Sequence, residues 1–160
     1  MSDPKQLEAL KQVRENEKQI AVLAYSDATQ KLSMLIKERD QLQKQIEDVD
    51  VILRDTRQKS QGTLDLTERR LFDDFAKAKV IERDSLSDKI AALAEPLVAA
   101  RIEQELRRET VIQTEADVQV VDKQLAKIAQ ERARAIDKKR QIESDEIAQR
   151  QWSKANNEDA

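Results

Sequence analysis

The chain has 160 residues and a formal net charge of −3, from 29 lysines and arginines against 32 aspartates and glutamates. One glycine, two prolines and 2% aromatic residues, beside 38% charged residues, exclude an ordinary layered core and match long helices or coiled coil. The near balance of charge excludes a generally polycationic nucleic-acid binder. The absence of cysteine and histidine removes disulfides, thiol nucleophiles, zinc ligands and the usual general bases.

A single glycine also leaves no phosphate-cradling loop. Carboxylates alone can serve glycoside chemistry, but that needs a concave pocket that two helices rarely supply. The expectation is a non-enzymatic protein with no metal and no cofactor. The stretch MSDPKQLEAL lacks the basic and apolar regions of a secretory signal, and no window approaches an uncharged apolar membrane span. With no cysteine to oxidise, the expected setting is the cytoplasm.

Asp3 followed by Pro4 reads as an N-cap and first helical residue, since the carboxylate accepts an orphan N–H and proline lacks a donor that would go unpaired. The first helix is expected over about 4–58. Its seam is Ala28, Leu32, Leu35, Arg39, Leu42, Ile46, Val49 and Leu53, in alternating steps of four and three, the condition for left-handed supercoiling against a partner helix. Upstream, Leu7, Leu10, Val13, Ile20 and Ala24 are read as an apolar face in a shifted register. Tyr25 is read as core. Arg39, the one charged residue of that seam, is expected to snorkel, to pair with a carboxylate of the opposing arm, or to be a tolerated defect.

A turn is expected at about 59–66. Gly62 can take a left-handed conformation there, Lys59 complements the preceding helix end, and Asp65 with Glu68, or Thr67 alone, can cap the second helix. That helix is expected over about 67–154, with a frayed tail at 155–160. Its apolar line includes Phe72, Leu86, Ile90, Leu93, Leu97 and Ala100, then Val118, Val121, Leu125, Ile128, Ala135 and Ile142. Pro96 predicts a kink or short break at Ala94–Pro96, read as either a hinge or a tolerated bend. The fold class is all-α, a single antiparallel two-helix coiled-coil hairpin over 1–160. Its unequal arms require the second to overhang the first or to fold back at Pro96.

Two patches stand out. Between Lys123 and Ser144 seven basic residues face three acidic ones, a local charge of +4, which is either a solvated face or a docking surface for an acidic partner. Nucleic acid fits poorly, because no aromatic platform accompanies the stripe. Ile142, Ile147 and Trp152 leave apolar area beyond the shorter arm, which suggests burial in another protein. Phe72 and Phe75, the only phenylalanines, lie three apart on one helix face and either close the seam or anchor a partner.

The tail DEIAQRQWSK (Asp145–Lys154), KLSMLIKERDQL in the first helix and QGTLDLTERRLFDDF at the turn resemble the FliJ/YscO family, the small coiled-coil stalk proteins of type III secretion and flagellar export. The DEIAQR element beside a Lys/Arg run is similar to the flagellar members, and the turn region is more like the injectisome members. The resemblance implies a monomeric stalk that enters the central opening of a hexameric export ATPase and promotes its assembly or activity. It also implies a contact with the cytoplasmic domain of the membrane export gate and, in some members, with export chaperones. Such a protein would sit at the inner-membrane export apparatus, with no direct membrane insertion. Carried to this chain, Lys11, Arg14 and Lys18 with Lys138, Lys139, Arg140 and Arg150 are candidates for the ATPase contact, and Phe72 and Phe75 for the gate. The rival readings are a generic coiled-coil scaffold or tether, dimeric if the chain straightens at Gly62, and a chaperone-like hairpin that holds clients at its tips.

Overall fold

The computed structural model describes residues 3–62 and 65–159. It holds two helices, α1 (Pro4–Ser60) and α2 (Leu66–Glu158), and no strand among the described residues. They pack against each other antiparallel, as an all-α hairpin. Thr63 and Leu64 of the expected turn and Ala160 of the expected tail lie outside the described residues, as do Met1 and Ser2.

Local chemistry sets the helix ends. Asp3 Oδ1 accepts the Lys5 N–H at 3.1 Å, so Asp3 caps α1 and Pro4 is its first residue. At the other end Gln61 N–H and Gly62 N–H donate to the carbonyls of Gln58 and Lys59. These short-range bonds satisfy two of the last four carbonyls without a left-handed residue. Gly62 does not have positive φ, which corrects the expectation of a left-handed cap. Asp65 Oδ1 accepts from Thr67 N–H at 2.7 Å and Glu68 N–H at 2.9 Å, so Asp65 rather than Thr67 caps α2. The helix then runs through Pro96 with no break and no fold-back. Pro96 is exposed while Leu93, Leu97 and Ala100 around it stay in the seam, so losing one backbone hydrogen bond on the solvent side leaves packing intact. The tail expected to fray is helical as far as Glu158.

Heptad spacing carries through both helices. In α1 one line of alternating steps joins Leu7, Lys11, Arg14, Lys18, Ala21, Tyr25, Ala28, Leu32, Leu35, Arg39, Leu42, Ile46, Val49, Leu53 and Thr56, every one buried or half-buried. There is no shift of register upstream. Leu10, Val13 and Ile20 are 38%, 51% and 68% exposed, because the seam positions they were expected to fill belong to Lys11, Arg14 and Lys18. In α2 the line runs from Phe72 through Leu86, Ile90, Leu93, Leu97, Ala100, Val118, Val121, Leu125 and Ile128, with Arg83 and Arg107 as exposed interruptions. Ala135 and Ile142, expected to prolong it, are exposed.

The chain divides into two units. The turn unit, residues 21–111, holds the apolar core. Ile46, Val49, Leu53 and Leu86 form one cluster, with Leu42, Ala76 and Ile90 against it. Leu32, Leu97 and Ala100 form another, with Leu35, Ile36 and Leu93 beside it. Burial of this kind stabilises by about 1.5–3 kcal/mol per large side chain. Across the same unit Arg83 pairs with Asp50 at 3.0 Å, Lys31 with Glu103 at 3.7 Å, and Gln104 donates to Thr29 Oγ1. The end unit, residues 1–20 and 112–160, buries Leu7 and Val121, keeps Val118, Leu125 and Ile128 half-buried, and adds the ion pairs of Lys11, Arg14 and Lys18.

Candidate functional site

Three features of the molecule bear on function: a cationic seam in the end unit, a bare stretch of α2, and a groove beside the turn.

Lys11, Arg14 and Lys18 stand at seam positions of α1 and meet carboxylates of α2. Lys11 Nζ lies 2.8 Å from Asp122, Lys18 Nζ 3.7 Å from Glu115, and Arg14 Nη1 3.9 Å from Asp117. Arg14 also holds Glu17 at 3.0 Å, one turn along its own helix. The hydrogen bond and charge of Asp122 raise the Lys11 pKa above its ordinary 10.5. These cations are therefore engaged within the hairpin. Arg39, the remaining seam cation of α1, pairs with neighbouring Asp40 at 3.1 Å rather than across to α2.

The other candidate cations are elsewhere. Lys138, Lys139 and Arg140 follow Asp122 by sixteen residues or more, about 24 Å along a helix rising about 1.5 Å per residue. Arg150 is farther still. The structure thus does not gather the seven candidate basic residues into one patch. It separates three paired ones from four exposed ones.

Those four lie on a stretch without a partner in the fold. Every residue from Ala129 to Asp159 is exposed. In each unit the residue numbers of cross-helix ion pairs sum to between 131 and 134, from Lys11 with Asp122 to Asp50 with Arg83. That register sets Pro4, first residue of the capped α1, opposite about residue 129. The stretch carries Ile136, Ile142, Ile147 and Trp152 at 51–68% exposure among its charges. It stays helical as far as Glu158 while exposed along its whole length.

At the turn, Phe72 is half-buried at a seam position and Phe75 is 45% exposed. Both line a groove of about 720 Å³ with Ile52, Thr56, Lys59 and Leu71. Lys79 Nζ sits 5.7 Å from the Phe75 ring centroid, within cation–π range. Thr56 is buried, its hydroxyl donating to the Ile52 carbonyl at 2.8 Å. Sequence reading missed it as the floor of this groove, although it falls one step past Leu53 in the heptad line. Among the described residues no cluster of acidic side chains is placed to hold a metal ion, and no helix is long and apolar enough to cross a membrane.

Comparison with protein-family models, with curated proteins and with solved structures finds no match to this chain.

Proposed function

We propose that this protein is a non-catalytic stalk of a type III protein export apparatus. In this reading the bare stretch of α2 binds the hexameric export ATPase and promotes its assembly or activity. The turn-end groove at Phe72 and Phe75 contacts the cytoplasmic domain of the export gate, and empty export chaperones are further partners. The protein works as a monomer in the cytoplasm, peripheral to the inner membrane.

The observation that carries the reading is the exposed helix from Ala129 to Asp159. A helix that keeps its form without packing on its own chain presents side chains on all sides, which is what entry into the opening of a ring requires. Its basic block at Lys138, Lys139 and Arg140 can steer it toward an acidic lining. The tail resemblance to the FliJ/YscO family lies in the same stretch.

The test is ATP hydrolysis by the cognate export ATPase with the full chain and with a variant lacking 138–160. Circular dichroism would confirm that the variant keeps its hairpin, since the deleted residues touch none of the core. Stimulation by the full chain and none by the variant supports the reading. Equal stimulation by both moves the contact elsewhere, and no stimulation or co-elution by either favours a tether.

A further inference from the structure

We propose that the seam-side face of α2 from Ala129 to Ile142 receives a helix of another protein, apolar at its own seam positions and flanked there by carboxylates. This deepens the stalk reading by naming the partner's chemistry, and it rests on that reading for the contact lying in this stretch.

The steps that place Leu125 and Ile128 in the seam continue without change to Arg132, Ala135, Lys139 and Ile142. Ile136 and Lys138 stand beside that line. All six are exposed, Ile136 by 52% and Ile142 by 51%. Helix α1 does not cover them, because Asp3 caps it and the register brings Pro4 only to about residue 129. The face is a coiled-coil slot with one wall.

The end unit shows how this chain answers a cation at a seam position. Lys11 and Lys18 of α1 are met by Asp122 and Glu115, carboxylates that flank the seam of the opposite helix. Arg132 and Lys139 hold equivalent seam positions with no helix facing them. Between Lys127 and Arg140 six basic residues stand against two acidic ones, Glu131 and Asp137. A partner that supplies carboxylates beside apolar side chains satisfies the cations and covers Ile136 and Ile142 together. A nucleic-acid backbone would satisfy only the cations and leave both isoleucines in water. Glu143, Asp145 and Glu146 follow at once and reverse the charge, which sets the C-terminal limit of the slot.

The test uses the full chain and two labelled synthetic helices, leucine at both seam positions, with glutamate flanking the seam in one and lysine in the other. Fluorescence anisotropy at low salt should show the glutamate helix binding at least about ten-fold more tightly. Charge reversal at Arg132→Glu, Lys138→Glu and Lys139→Glu should invert that preference. Ile136→Asp with Ile142→Asp should abolish binding of both, and hydrogen exchange should place protection at 129–142. These positions are exposed, so an unchanged melting curve will show that the fold survives.

Equal binding of the two helices, indifference to charge reversal, or protection outside 129–142 would overturn the proposal. So would self-association of the chain through 129–142 that excludes the glutamate helix, which would give the slot to a second copy. No ATPase enters this assay. Selective peptide binding without ATPase stimulation would count against the stalk reading alone, and stimulation without peptide selectivity against the partner chemistry alone.

Discussion

The turn unit and the end unit share one heptad spacing and one cross-helix register, yet they are joined by different forces. Around Leu32, Leu97 and Ala100, and again around Ile46, Val49, Leu53 and Leu86, the seam is apolar and buried. Around Lys11, Arg14 and Lys18 the same positions hold cations, and half-exposed ion pairs take the place of packing. Spacing thus determines how the helices face each other, while side-chain chemistry determines how firmly. Apolar burial is not weakened by screening; half-exposed ion pairs contribute little and are screened. The end unit should therefore open locally at lower free energy than the turn unit.

The strongest way to break this contrast is at the apolar seam. Leu97→Ala should destabilise the hairpin by about 2–3 kcal/mol, the low part of the range for such truncations because a two-helix core collapses easily around the gap. Urea unfolding followed by circular dichroism measures it. Leu10→Ala, at a position 38% exposed, should cost no more than about 0.5 kcal/mol. An equal loss at both sites would mean that Leu10 is packed as firmly as Leu97.

Salt sharpens the contrast from the other side. At about 1 M salt, where screening extends only about 3 Å, amide exchange over residues 4–20 should accelerate several-fold. Exchange over 28–53 should stay as it was. Uniform acceleration along α1 would show that the ion pairs do not distinguish the end unit.

A substitution that touches neither seam supplies the control. Gly62 lacks positive φ, and an added Cβ would meet only the Lys59 carbonyl oxygen, at an ordinary 3.6 Å. Gly62→Ala should raise stability by about 0.4–1 kcal/mol by restricting the unfolded chain, with salt response unchanged. A fall in the melting temperature would show strain at the turn.

The smallest effect is a titration. The Lys11 pKa is raised in the folded state, first by its hydrogen bond to Asp122 and then by that residue's charge. Its stabilising contribution is therefore complete below the ordinary 10.5 and is lost as pH climbs through the raised value. Asp122→Asn should bring the Lys11 midpoint down toward 10.5, read from the side-chain ε-carbon by NMR. An unmoved midpoint would remove Asp122 as the cause.

Much of this was legible in the chain itself. Scarce glycine, absent cysteine and histidine and an apolar period of about 3.5 residues led to two long helices, because period and composition are local properties. Asp3 with Pro4, and Asp65 three residues before Glu68, marked helix starts for the same reason: a cap depends only on its neighbours. Apolar counting failed between Leu7 and Ala21, where the seam is made by Lys11, Arg14 and Lys18 and the hydrophobic residues face water. A cation becomes a seam residue only when a carboxylate stands opposite, and Asp122, Asp117 and Glu115 lie about a hundred residues away in sequence. The limit of the seam at Ile128, short of Ala135 and Ile142, was likewise decided by tertiary structure, since it depends on the register between two capped helices. Periodicity within one helix determines which side can pack; only the partner determines how far along it does.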